Sequence, residues 1–190
     1  MAPDFLLPPA PFPRRIYLTG FMGSGKSAVA VSLADRLGFT SIDLDKLVEA
    51  LTGRSVAALF SEGEAVFRAA ERETLARTFD KPQIVVATGG GALLDPAAME
   101  AAQSVGCVVY LRLPADSLVA RLDADPKPRP LLQGPGGTRL RGEVLRSRVE
   151  ELLATRVPRY ERANVVLDVE GLTPREIGRA AAHGIAALSA

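Results

Sequence analysis

A chain of 190 residues is long enough for one domain with a substantial core. Its net charge of +1, with 24% charged residues, argues against bulk electrostatic binding to nucleic acid or to an anionic membrane surface. A single cysteine, Cys107, excludes an internal disulfide framework and fits a reducing, cytoplasmic compartment.

The chain opens on "MAPDFLLPPAPFPRR", with five prolines in its first thirteen residues. Its arginines follow the apolar stretch instead of preceding it, which is the wrong order for a secretory signal. Residues 1–14 are therefore expected to form a flexible or polyproline-like arm. No apolar run approaches membrane-spanning length. "RRIYLTG" reads as a first strand. Val29, Leu33 and Leu37 follow at helical spacing, and Gly38 sits where that helix should stop. "FTSIDLD" reads as a second strand, extended to its end, with Asp43 and Asp45 on one side of it. In "SEGEAVFRAAERETLARTF", Ser61 and Glu64 have capping-box spacing before a helix. "QIVVATGGG" is a wholly apolar third strand. "DPAAMEAAQSV" opens a helix with Asp95 as N-cap and Pro96 in the first turn.

"GCVVYLRL" is the fourth strand, where Cys107 is expected as a small buried hydrophobe. "PADSLVARL" reads as helical. "DADPKPRPLLQGPGGTRLRG" is too long for a plain connector, so residues 123–141 are expected to be a mobile lid. "EVLRSRVEELLATRV" reads as a helix ending before Pro158. "NVVLDV" is the fifth strand, and "TPREIGRAAAHGIAAL" closes the chain with a capping box of Thr173 and Glu176. Apolar strands alternating with helices predict an α/β fold: a five-stranded parallel sheet with helices on both faces, in a single domain over 15–190.

"GFMGSGKS", Gly20 to Ser27, matches the phosphate-loop pattern G-x-x-x-x-G-K-[ST]. Glycines let backbone N–H groups curl around phosphate oxygens without Cβ clashes. Lys26 brings a point charge to the β and γ phosphates, and the Ser27 hydroxyl ligates Mg²⁺. The helix that starts here aims its positive dipole end at the same anions. Ligands of a parallel sheet sit beyond the carboxyl ends of its strands, so Asp43 and Asp45 can face this loop. The third strand carries no acid for a metal, which leaves the "DLD" pair as the source of a Mg²⁺ carboxylate, reached through water. Three arginines are candidates for an anionic substrate. Arg68 stands three residues before Glu71 and can touch it, Arg129 lies in the lid segment, and Arg156 precedes Pro158. A guanidinium held by a carboxylate presents a rigid fork to an anion, although each arginine alone reads more readily as a solvated surface charge.

Taken together these residues resemble the shikimate kinases, small P-loop kinases related to the nucleoside monophosphate kinases. The resemblance runs from about Arg15 to His183 and rests on six motifs in order: "GFMGSGKS", "DLD", "GEAVFRAAE", "ATGGGA", "RPLL" and "RVPRY". It implies transfer of the γ-phosphoryl group of MgATP to the 3-hydroxyl of shikimate, in chorismate and aromatic amino acid biosynthesis. It implies ATP contacts from Gly23, Ser24, Gly25, Lys26, Ser27, Ala28, Arg121 and Arg129. It gives Asp43 the Mg²⁺ side, through water, and Asp45 the attacking hydroxyl. Arg68 and Arg156 resemble the clamp on the substrate carboxylate, and Gly89, Gly90 and Gly91 a loop close to substrate and phosphate. Arg129 resembles a lid arginine that closes on the transferring phosphate, and Arg121 one that stacks on adenine. A monomer without nucleic-acid or membrane partners is implied as well.

The departures from the family pattern are few. Ala28 replaces a Thr, Arg159 replaces an aliphatic residue, one extra residue separates Arg121 from Arg129, and the lid is unusually rich in proline. The N-terminal arm has no counterpart. Two alternatives are a related small-molecule kinase, such as a gluconate kinase, and a nucleotide-dependent switch that is not a kinase. "DLD", "FRAAE" and "TGGG" together speak against the first. The lack of an Asn-Lys-x-Asp motif, and 5% aromatic content, speak against the second.

Overall fold

The computed structural model describes residues 12–188, so the expected N-terminal arm lies outside the described residues except for its last three positions. Strand β1 (Arg15–Thr19) is the centre of a five-stranded sheet with spatial order 2-3-1-4-5. Its neighbours are β3 (Ile84–Ala87) and β4 (Cys107–Arg112), with β2 (Thr40–Asp43) and β5 (Val165–Asp168) at the edges. Every pairing is parallel, with Ile16 opposite both Val85 and Cys107. The chain leaves β1 toward one side and returns to the other, so the crevice beyond the carboxyl end of β1 is where a ligand belongs.

Alternation along the central strand splits the core. Ile16 and Leu18 face one layer, where helices α1 (Lys26–Leu37), α6 (Ala115–Ala124), α7 (Gly142–Tyr160) and α8 (Pro174–Ala187) bring Val29, Leu33, Leu118, Val149 and Ile177. Tyr17 faces the other, with Met99 and Ala102 from α5 (Pro96–Val105). A third, smaller cluster joins Val48 of α2 (Leu44–Thr52), Leu59 of α3 (Val56–Glu62) and Phe67 of α4 (Glu64–Ala76). Burial on both faces explains the unbroken apolar runs of β3 and β4. Cys107 is buried among them, and burial pushes its thiol up to about 11, which makes it inert.

Several local expectations hold. Gly38 ends α1 in the left-handed region at φ 66°, Asp95 and Pro96 start α5, and Thr173 with Glu176 forms a complete capping box on α8. Others are corrected. The second strand stops at Asp43, and Asp45 lies in the first turn of α2, not on a strand face. Asp43 is the reason: its Oδ1 accepts from the Lys46 N–H at 3.3 Å as an N-cap, and Leu44 and Val48 give the following residues a buried helical stripe. Ser61 and Glu64 form no capping box. Ser61 is inside α3 and donates to the Ala58 carbonyl, while Gly63, at φ 135°, makes the turn into α4. Helix α7 runs past Pro158 to Tyr160, because a proline near the end of a helix loses a single backbone bond, and the Glu161 N–H still donates to the Val157 carbonyl at 3.0 Å. Helices α2 and α3 are not among the expected elements: each is short, with few buried apolar residues, Leu44 and Val48 in α2 and Leu59 in α3.

Candidate active site

The phosphate loop follows β1 and leads into α1. Gly25, at φ 94°, is the N-cap of α1, a conformation that a side chain would strain. Ser24 is fully buried, and its N–H donates to the Phe21 carbonyl at 3.2 Å; a Cβ on Gly23 would stand 3.3 Å from the Leu122 side chain. Lys26 turns inward. Its Nζ donates to the Gly20 and Phe21 carbonyls at 2.8 Å each, with Ser24 Oγ at 3.5 Å. Burial first, and Arg129 among the charges, pull its pKa down to about 8 against the attraction of Asp45 and Asp43. Ala28 is exposed on the first turn of α1. Arg121, on α6, reaches over the loop and donates from Nη1 to the Gly23 carbonyl at 3.3 Å.

Ser27 Oγ donates to Asp43 Oδ2 at 2.7 Å, so the end of the phosphate loop and the end of β2 share one oxygen cluster. Two residues on, Asp45 faces a cleft of about 740 Å³. Burial raises its pKa, with the Asp43 charge adding to that and Lys127, Lys26 and Arg68 opposing it. A carboxylate held above its ordinary range is a better proton acceptor. Arg68 and Arg156 line the same cleft from α4 and α7. Arg68 Nη1 donates to Glu71 Oε2 at 2.6 Å, and its guanidinium lies over the Phe67 ring at 5.1 Å. Arg156 is 7% exposed, lies over Phe21 at 5.5 Å, and has a buried Nη1 without a hydrogen-bond partner in the protein. A buried guanidinium N–H left without an acceptor fits a site that takes an anion.

The three glycines after β3 form the floor. A Cβ on Gly89 would stand 2.2 Å from Glu71 Oε1 and 3.2 Å from Asp45 Oδ1, and one on Gly91 would stand 2.4 Å from Arg68 Nη1. Glycine is what allows the backbone to lie under all three side chains at once. Gly90 accepts a hydrogen bond from the Tyr160 hydroxyl and lies 3.9 Å, from the same reference point, from Arg156 Nη1.

The lid segment is tied down more than its composition suggested. Leu132 is 5% exposed and packs into the core, Arg139 Nη2 donates to the Leu122 and Asp123 carbonyls at 2.6 and 2.7 Å, and Arg148 Nε donates to the Leu131 carbonyl at 3.2 Å. Arg129 lines the cleft, but its Nη2 is paired with Asp125 at 2.6 Å while its buried Nε lacks a partner.

The structure thus brings Asp45, Arg68, Arg129, Arg156 and the three glycines to one cleft, with Asp43 and Ser27 at its edge, while Ala28 and Arg121 do not line it: Ala28 is exposed at the start of α1 and Arg121 reaches the Gly23 carbonyl. Sequence reasoning missed Glu64, Lys127, Phe60 and Tyr160 as parts of it. Glu64 was within reach, since it stands four residues before Arg68 on one helix face. The contact of Tyr160 with Gly90 spans seventy residues and has no local signal.

Among the described residues no helix is long and apolar enough to cross a membrane, and no group of three or more His, Cys, Asp or Glu is placed to hold a metal ion. Comparison with known proteins then bears directly on the cleft. The family model described as shikimate kinase matches residues 22–185. A shikimate kinase of Salinibacter ruber is 48% identical over 179 residues, covering 94% of this chain and 88% of that protein. Among solved structures, shikimate kinase from Acinetobacter baumannii in complex with shikimate is 31% identical with a TM-score of 0.82, covering 93% of this chain and 94% of that one. A gluconokinase from Sinorhizobium meliloti, 24% identical with a TM-score of 0.59 and coverage of 93% and 94%, shares the fold. With a family match across most of its length and a relative at nearly half identity, the chain belongs to the shikimate kinase family.

Proposed function

We propose that this protein transfers the γ-phosphoryl group of ATP to the 3-hydroxyl of shikimate, a step toward chorismate and the aromatic amino acids. The observation that carries the reading is the convergence of Asp45, Arg68 and Arg156 over Gly89–Gly91 in a cleft that shares its edge with the phosphate loop. A gluconate lacks nothing in charge for such a cleft, but the whole-chain likeness favours shikimate.

Phosphoryl transfer is helped mainly by positioning and by charge stabilisation. Arg156, with its free buried donor, and Arg68, with its fixed plane, grip the substrate carboxylate. That hold places the hydroxyl at Asp45, whose raised basicity suits it to accept or orient the proton. Lys26 exchanges its loop carbonyls for phosphate oxygens, and Arg129 swings from Asp125 to the transferring group. Gly23 to Ala28 wrap the phosphates, and Arg121 covers the adenine side. Ser27 and Asp43 offer two hard oxygens at 2.7 Å, which suits Mg²⁺, an ion that keeps water and phosphate oxygens as its other ligands. When bound, Mg²⁺ neutralises phosphate charge; Ser27 would hold it directly and Asp43 through water. The same reading makes the protein a cytoplasmic monomer that acts on ATP and shikimate, without nucleic-acid or membrane partners.

The test is ADP release from MgATP with and without shikimate, gluconate as comparison. Release that depends on shikimate supports the reading. Release that follows gluconate instead, or ignores both, overturns it.

A further inference from the structure

Arg68 is held by two acids on different terms. Its Nη1 donates to Glu71 at 2.6 Å, and the Glu71 side chain is 2% exposed. Its Nε and Nη2 donate together to Glu64 Oε1, at 3.2 and 3.0 Å, and the Glu64 side chain is 51% exposed. Phe67 and Phe60 lie against the guanidinium at 5.1 and 5.8 Å, which fixes its plane. Glu64 and Arg68 both line the cleft. The Nε and Nη2 edge carries the two parallel donors that grip a carboxylate in bidentate fashion. In this structure one glutamate oxygen occupies that edge.

We infer that Glu64 is an exchangeable stand-in for the substrate carboxylate, holding the Nε and Nη2 edge of Arg68 until the acid arrives and competing with it for that edge. The inference rests on the reading of Arg68 as part of the substrate clamp. An exposed ion pair is weak, so Glu64 lets go at small cost. Glu71 cannot: without Arg68 it would be a buried carboxylate with no cation beside it. Substrate therefore exchanges against Glu64, while Glu71 stays as the anchor. The phosphorylated product carries the same carboxylate, so the return of Glu64 to that edge also helps the product leave. Removing the negative charge of Glu64 takes away both the competitor and a repulsive neighbour of the bound acid.

The test is the Kd for shikimate, measured by calorimetry without nucleotide, in the full chain carrying Glu64→Gln. Binding should tighten about two- to fivefold, the range of an exposed ion pair. A structural defect would weaken binding, so a gain in affinity separates competition from simple support of Arg68. Glu73→Gln, which breaks the 2.7 Å pair with Arg77 on the same helix, should leave the Kd unchanged. An unchanged or weaker Kd in Glu64→Gln overturns the inference. Arg68→Lys, measured alongside, separates the two possible failures. If Arg68→Lys binds shikimate as the parent does, the clamp reading falls and the inference with it. If it binds weakly while Glu64→Gln gains nothing, the clamp stands and the exchange alone is wrong.

Discussion

Lys26 is 9% exposed, donates to oxygens of its own loop, and has its pKa pulled down to about 8 by burial. Its folded pKa lies below the ordinary 10.5, so between these values the unfolded chain holds the extra proton and stability rises with pH. Below about pH 8 the cost of the buried charge is present in full, on the order of 3 kcal/mol at the upper end. Lys26→Met should therefore abolish kinase activity and flatten the gain in urea midpoint seen in the parent between pH 7.5 and 9.5. An identical gain in both proteins would place that titration elsewhere. The two aspartates divide in the same way by contact. Asp45→Asn should lower turnover on the order of 10²–10⁴-fold with shikimate still bound. Asp43→Asn, which alters the partner of Ser27, should raise the Mg²⁺ needed for half-maximal rate and recover partly at high metal. Equal Mg²⁺ titrations of the two mutants would refute this division.

At the scale of elements, the cleft depends on where helices begin. The start of α2 at Leu44 turns Asp45 out of the plane of β2 and into the cleft, while Asp43 stays behind as the helix cap and the acceptor for Ser27. The lid segment between α6 and α7 hangs on a few contacts: Leu132 in the core and Arg139 on two carbonyls at the end of α6. Leu132→Ala should remove about 2–5 kcal/mol of packing, felt first as local opening. Proteolytic cleavage within residues 123–141 should then accelerate in the variant. In the parent, an ATP analogue with shikimate should slow it, as Arg129 leaves Asp125 and the segment closes. Cleavage indifferent to both the variant and the ligands would make this an ordinary surface loop.

For the molecule as a whole, the proposed reaction would bring two ligands to the carboxyl end of one sheet, each of which would bind only the folded state. Each should raise stability by about 2.7 kcal/mol at a concentration of 100 Kd. The chain should unfold in one transition whose midpoint rises with either ligand. Lys26→Met should cancel the rise given by ATP and keep the rise given by shikimate. Loss of both increments would mean that the phosphate loop also supports the shikimate side.

The sequence by itself determined a good deal. The spacing from Gly20 to Ser27 located the phosphate loop, apolar runs located four strands and an alternating segment the second, and capping residues located the starts of α5 and α8. These are local signals, carried by neighbours a few residues apart. The acid pair and the arginines were legible as residue types, and the family resemblance gave them a common destination that their local spacing did not carry. Only the tertiary structure decided the strand order 2-3-1-4-5, the helical place of Asp45, the inward turn of Lys26 and the anchoring of the lid by Leu132. It also decided how close Gly89 comes to other residues: a Cβ there would crowd the carboxylates of Glu71 and Asp45, which arrive from two different helices. Contacts of this kind join positions far apart in the chain, and their energy comes from burial and electrostatics that exist only once the sheet has brought those positions together.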